Sequence, residues 1–236
     1  MTAALRDEVV WANVELSRRD LAKHTFGNAS AIDRAAGHVV IKPSGVPYHE
    51  LKAADLVVVD LDGRVVDGTL RPSSDLPTHL VLYRAFSSIG GIVHTHSHFA
   101  TAWAQAVREI PCLGTTHADH FRGAVPVTES LSEREIEGGY EENTGHAIVK
   151  RMSGIDPAHV PAVLVANHAS FAWGASVSAA VETADILEEI ARMAYHTLTL
   201  QPRAETVSEA LSEKHFLRKH GHDAYYGQRN SIEDGG

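Results

Sequence analysis

Gly90-Gly91-Ile92-Val93-His94-Thr95-His96 is a short apolar run that ends in two histidines one residue apart. β-Branched residues behind a glycine pair predict a strand. Side chains alternate faces along a strand, so His94 and His96 project to the same side, roughly 7 Å apart at their Cα atoms. Two imidazoles at that spacing can converge on one metal ion. A third histidine stands in a matching context, where Ala162-Val163-Leu164-Val165-Ala166-Asn167 runs into His168. Three neutral imidazoles with an open position form the donor set of a catalytic zinc ion, whereas structural zinc fills four positions, usually with cysteine. The chain has one cysteine. A lone core histidine is more often a satisfied hydrogen bonder, but three at two strand ends point to metal catalysis. His98 is read as lying past the strand end, in the turn before the next helix.

Outward from that strand, the pattern alternates between two periods. Leu5, Val9, Ala12 and Leu16 have helical spacing, and Gly27-Asn28-Ala29-Ser30 breaks that helix. Val39-Val40-Ile41 and Leu56-Val57-Val58-Val59 read as strands. Helices are predicted over 78–87 and 99–106. Ser132-Glu133-Arg134-Glu135 has capping-box spacing and opens a helix to about Met152. Val177, Val181, Ala184, Leu187, Ala191, Ala194 and Leu198 form one stripe at helical period. A last helix is predicted over 205–219. Strands and helices interleave without a Pro- or Ser-rich linker, which predicts one α/β domain over 1–228 with a disordered polar tail at 229–236.

The composition narrows the function classes. Of 236 residues, 44% are hydrophobic and 22% charged, ordinary values for a globular enzyme. The formal charge of −9, without a basic stripe, argues against nucleic-acid binding. Sixteen histidines are an excess for this length. Cys112 cannot form an internal disulfide, which fits a reducing compartment. No activating basic motif stands beside it. No apolar run is long enough to span a membrane, and no signal-peptide apolar region precedes Asp20, so the expected location is cytoplasmic. Neither GxGxxG nor GxxxxGK[ST] occurs, so no nucleotide cofactor is expected.

Other polar loops offer further candidates. Asp75, in Pro72-Ser73-Ser74-Asp75, can be a fourth ligand, a carboxylate orienting a ligand histidine, or an N-cap. Gly27-Asn28, Lys42-Pro43-Ser44-Gly45 and Ser73-Ser74 can present N–H groups, hydroxyls and one ammonium to a phosphate, although ordinary turns look much the same. Asp119, in Thr115-Thr116-His117-Ala118-Asp119, is either a general acid/base or a solvated loop carboxylate. Tyr225-Tyr226 near the C-terminus reads as a packing anchor on residue type alone.

Together, Gly27–Ser30, Ile41-Lys42-Pro43-Ser44-Gly45-Val46, Pro72–Asp75, Gly90–His96, Gly114–Asp119, Phe171-Ala172-Trp173-Gly174 and the tail from Lys214-His215 to Tyr225-Tyr226-Gly227-Gln228 resemble the class II aldolase/adducin-head family. The Thr115–Asp119 segment and the tail point to its epimerase branch, the bacterial enzymes of arabinose catabolism. The resemblance runs from about residue 5 to 228. It implies a three-layer α/β/α sandwich with a central mixed β-sheet, assembled as a homotetramer of fourfold symmetry with active sites between subunits. It further implies that His94, His96 and His168 hold zinc, or manganese or cobalt, with Asp75 beside them. Gly27, Asn28, Lys42, Ser44, Gly45, Ser73 and Ser74 would bind the sugar phosphate. Asp119 and Tyr226 would be the acid/base pair, at least one from a neighbouring subunit, with Glu141 and His215 nearby. After His168 the chain has Ala169-Ser170 where relatives commonly have Gly-Pro.

The implied reaction interconverts L-ribulose 5-phosphate and D-xylulose 5-phosphate. The C4 hydrogen is not α to the carbonyl, so direct abstraction is difficult and retro-aldol cleavage of C3–C4 avoids it. A metal acts there as a Lewis acid on the C2 and C3 oxygens, and two proton shuttles serve the C4 oxygen. The alternatives are a fuculose-phosphate type aldolase, whose relatives commonly carry Glu in place of Asp75, a ketose 4-epimerase of other substrate range, and a non-catalytic adducin-like scaffold.

Overall fold

Seven strands form one sheet in the order β4-β3-β2-β1-β5-β7-β6. The structure is a computed structural model that describes residues 3–226, so the 229–236 tail lies outside the described residues. The strands are β1 (Gly27–Asp33), β2 (His38–Ile41), β3 (Val57–Asp60), β4 (Val65–Asp67), β5 (Gly91–Thr95), β6 (Ala162–Leu164) and β7 (Ser170–Gly174). Every neighbouring pair is antiparallel. The expected mixed character is confined to one parallel bridge, Val127 with Leu164, outside the regular ladders.

Helices cover both faces. On one lie α1 (Ala3–Arg18), α3 (His98–Gln105) and α7 (Val177–Leu200). A Cβ on Gly91 would stand 2.3 Å from the Val177 Cα, so the two glycines preceding Ile92 let α7 lie directly on β5. On the other face, α2 (Leu76–Ala85) bonds Ser30 of β1 through His79 and Tyr83. Behind α2 packs α6 (Tyr140–Arg151), where Gly145 makes room for Val81. Short helices α4 (Thr115–Ala118) and α5 (Glu133–Glu137) and the last helix, α8 (Glu209–His220), lie in the connections and at the end. No helix among the described residues is long and apolar enough to cross a membrane.

Several elements differ from the sequence reading. Gly27–Ser30, read as a break, opens β1. Its Gly, Asn, Ala and Ser are weak strand formers, and packing overrides propensity. Gly27 has φ +121°, and a Cβ there would lie 2.5 Å from the His94 carbonyl oxygen. Asn13 of α1 takes both backbone groups of Ala29, at 2.8 and 3.1 Å, where β2 has ended. The predicted 132–152 helix is two, because Gly138-Gly139 interrupts it with Gly139 at φ +122°. Its capping box at Ser132 and Glu135 forms as expected. β4 and β7 carry no strand signal that the reading caught, and the last helix begins at Glu209, not at 205.

Gly27→Ala is expected to destabilise the protein by about 3 kcal/mol, from strain at positive φ plus backbone overlap. Urea unfolding reads this as a lowered midpoint at unchanged m-value. Because the overlap falls on His94, zinc uptake measured by calorimetry weakens in the same variant.

Candidate metal centre

Strand register builds the site. Asn28, His94 and Phe171 stand opposite one another on β1, β5 and β7, so they form a row on the α2 face of the sheet. β5 ends at Thr95 and His96 follows one residue beyond, still turned toward His94. His168 belongs to the β6–β7 hairpin, not to the end of a lone strand. The hairpin closes through Val165 N–H to Ala169 O (2.8 Å) and His168 N–H to Val165 O (3.0 Å). Asn167 takes φ +59°, its backbone N–H reaches Ala104 O (3.0 Å), and its amide reaches Ser130 Oγ (2.9 Å). Ala169-Ser170 thus keeps the turn intact.

The three imidazoles make a nearly equilateral triangle, with ring centroids 4.9, 5.0 and 4.9 Å apart. One nitrogen from each lies within 4.8 Å of the others. The His94 Nδ1–H donates to the Ser170 carbonyl at 2.9 Å, which leaves Nε2 as the lone-pair donor. Such a hydrogen bond to the remote nitrogen is how proteins fix the tautomer and direction of a metal-binding histidine. His94 also stacks on Phe171 at 4.3 Å, and His168 Nδ1 is paired with the Tyr140 hydroxyl at 3.1 Å. Burial and the neighbouring imidazoles push His96 and His168 down to about 4, so both are neutral donors at pH 7. The donor set fits a divalent transition-metal ion; imidazole suits zinc and cobalt, and manganese binds it most weakly of the three.

Asp75 lies outside the converging three. It holds the N-cap position of α2 but makes no capping bond. Its carboxylate accepts from Asn28 Nδ2 at 2.7 Å and from Ser73 Oγ at 3.4 Å. Burial raises its pKa, but His94, His79 and the Asn28 amide outweigh burial and hold it below the usual range. Ser73 N–H donates to Lys42 O and Ser44 N–H to Arg71 O, both at 3.0 Å, so the Lys42–Gly45 and Ser73–Ser74 loops form one lip beside Asn28. Ser44, Gly45 and Ser74 are exposed on it, and Gly45 has φ +72°. Lys42 is buried, its ammonium 5.1 Å from the Tyr48 ring centroid and bonded to Pro43 O at 3.2 Å. Tyr48 in turn donates to Gly27 O at 2.8 Å. No carboxylate pairs with Lys42 among the described residues, and burial lowers its pKa to about 8. This is a buried cation that lacks an anion.

Asp119 and Tyr226 form a second group. Arg218 forks onto Asp119 (2.8 and 2.5 Å) and stacks on the Tyr226 ring at 4.7 Å. His215 adds a bond to Asp119 at 3.0 Å. Burial raises the Asp119 pKa, but these partners outweigh it and hold the carboxylate ionised. Tyr226 lines a cavity of about 400 Å³ with Ala158, Pro161, Ala179 and Glu182. Those residues precede β6 or open α7, at the Gly91 end of the sheet, whereas His96 and His168 lie at its other end. Within one protomer the two groups are therefore apart. Glu141 opens α6, and its carbonyl accepts from Thr78 Oγ1. Cys112 is buried, and burial raises its pKa, as befits a packing residue.

The sequence reading missed His79, Tyr140 and Arg218. His79 was detectable, since it stands four residues after Asp75 on a helix. The pairing of Arg218 with Asp119 crosses about a hundred residues and has no local signal.

Fold and donor triangle together define a protein able to hold a divalent metal ion on three imidazoles at one end of an antiparallel sheet. The chain belongs to the family described as Class II Aldolase and Adducin N-terminal domain, matched over residues 7–195. It is 52% identical over 225 residues to L-ribulose-5-phosphate 4-epimerase UlaF of Salmonella paratyphi B, covering 95% of this chain and 99% of that one. The protein of the same name from Salmonella typhi is equally similar. Among solved structures, an L-fuculose 1-phosphate aldolase is 27% identical with TM-score 0.77, over 91% of this chain and 97% of that one. YgbL of Klebsiella pneumoniae, titled a putative aldolase/epimerase/decarboxylase, is 28% identical with TM-score 0.72, over 91% and 99%.

Proposed function

We propose that this protein is an L-ribulose-5-phosphate 4-epimerase, an isomerase that interconverts L-ribulose 5-phosphate and D-xylulose 5-phosphate by cleaving and remaking C3–C4. The observation that carries the reading is the His94–His96–His168 triangle bordered by a lip holding a buried, unpaired Lys42, in a chain similar to the 4-epimerases over nearly its whole length. The three histidines would hold zinc, or manganese or cobalt, with Asp75 beside it. When bound, such an ion supplies Lewis-acid stabilisation of negative charge on the cleaved ketose.

The chain's own residues do the rest. Gly27, Asn28, Lys42, Ser44, Gly45, Ser73 and Ser74 bind the substrate and its phosphate. A base removes the C4 hydroxyl proton, the C3–C4 electron pair passes to the C2 carbonyl, and an aldehyde is released within the site. The aldehyde turns, the bond re-forms on its other face, and an acid returns a proton to the C4 oxygen. Asp119 and Tyr226 are the two shuttles, with His215 supporting Asp119. Their separation from the histidines in one protomer supports a neighbouring subunit as their source, in a homotetramer of fourfold symmetry. Exposed Met193, Tyr195 and Leu200 on α7 offer apolar surface for that association. We place the protein in the cytoplasm, in pentose catabolism, arabinose included.

The test is incubation of the zinc-loaded protein with L-ribulose 5-phosphate, with assay of D-xylulose 5-phosphate and glycolaldehyde phosphate. Xylulose 5-phosphate without accumulated aldehyde is expected. Accumulated glycolaldehyde phosphate favours the second reading, an aldolase, for which the similarity to L-fuculose 1-phosphate aldolase speaks. Neither product would overturn the substrate assignment.

A further inference from the structure

α2 and its N-cap residue present Asp75, His79 and Tyr83 at intervals of four, hence on one face. That face lies on Asn28 and Ser30 of β1, which share a side of the strand. The contacts pair off along the seam. Asn28 binds Asp75 at 2.7 Å, and Ser30 Oγ meets His79 Nδ1 at 2.7 Å and Tyr83 Oη at 2.9 Å. His79 is fully buried, and burial drives its pKa down to about 3, so it is neutral and carries one N–H.

Tyr83 is buried, and burial raises its pKa, so its hydroxyl stays protonated and shares a hydrogen bond with Ser30 Oγ. Ser30 Oγ lies between that hydroxyl and His79 Nδ1, and when it accepts from Tyr83 its own proton goes to Nδ1. In that order the His79 proton stands on Nε2, a buried nitrogen without a partner among the described residues. Asn28 Oδ1, on the residue that holds Asp75, is a buried acceptor likewise without a partner. A buried donor left without an acceptor destabilises the fold. Asp75 is the one carboxylate whose charge acts on His79, and His94 is the other ionisable group that does. His79 also meets Phe171 edge-on at 5.9 Å, and Phe171 stacks on His94.

We infer that His79 is a positioning residue of the metal centre, its Nε2–H serving the Asp75 carboxylate across one buried water, which also satisfies Asn28 Oδ1. The Tyr83–Ser30 pair fixes the tautomer, and Phe171 transmits the packing to His94. Water-bridged contacts of this kind approach direct hydrogen bonds in strength. The inference rests on the metal-centre reading above.

The experiment compares His79→Gln, which keeps an N–H near the Nε2 position, with His79→Asn, which keeps polar atoms only near Nδ1. Zinc affinity is measured by competition with a chromophoric chelator, alongside the visible spectrum of the cobalt-loaded protein and the melting temperature of the metal-free forms. We expect His79→Asn to weaken zinc binding by about tenfold or more and to shift the cobalt bands, the usual scale for loss of an outer-shell partner. His79→Gln stays within a few-fold of the parent, while the two metal-free variants melt alike. Parent-like zinc affinity in His79→Asn would overturn the inference. So would equal weakening in both variants that follows their melting temperatures, which would make His79 a packing residue. His96→Gln is the control for the underlying reading: if it binds zinc like the parent, the metal centre itself is wrong, whatever His79 does.

Discussion

His94→Ala is expected to lose stoichiometric zinc and to lower turnover by about 10³-fold or more, the equivalent of about 4 kcal/mol of charge stabilisation. The triangle has three donors, and two imidazoles cannot hold the ion in the same geometry. His94 is also a core residue, stacked on Phe171 and bonded to Ser170, so its loss carries a packing cost. His96 keeps part of its surface open to solvent although its ring is desolvated against the other imidazoles, and it gives the cleaner variant: His96→Gln removes a donor while leaving the core alone. Metal analysis after gel filtration, with circular dichroism as the folding control, checks both. Full metal content and normal turnover in either variant would show that the histidines are not the ligands.

Tyr226→Phe is expected to keep its metal and lose about 10²- to 10⁴-fold in turnover, the range for a positioned acid or base. Its informative form is a mixture. Co-expressed His94→Ala and Tyr226→Phe subunits, each nearly inactive alone, pair an intact metal half with an intact tyrosine half at some interfaces. With random assembly into closed rings, activity recovers to about a quarter of the parent value. The structure gives the reason to expect this, since Tyr226 packs by Pro161 and Ala179, at the sheet end opposite His96 and His168. Mixed assemblies no more active than the separate variants would mean that site and tyrosine do not meet across subunits.

Much of the centre was legible because strands encode it locally. Alternation placed His94 and His96 on one side, and an apolar run before His168 marked a second strand. The lip was legible only as small polar loops, since nothing local says that Lys42–Gly45 and Arg71–Asp75 bond to each other. Asp75 shows the limit more sharply. A carboxylate before a helix reads as a cap, yet here it caps nothing, because Asn28 and Ser73 claim it.

The sequence by itself determined the α/β class, the three histidines of the triangle, the small polar loops and the long α7 stripe, all features with a period or a motif within one segment. Tertiary structure alone decided that Gly27–Ser30 is a central strand, that Asp75 stands beside the triangle, that His79 lies behind it with an unpartnered Nε2, and that Arg218 binds Asp119 far from the histidines. These depend on which atoms approach across the sheet and between layers. Residues dozens to a hundred positions apart in sequence acquire their roles only when the antiparallel register sets them side by side.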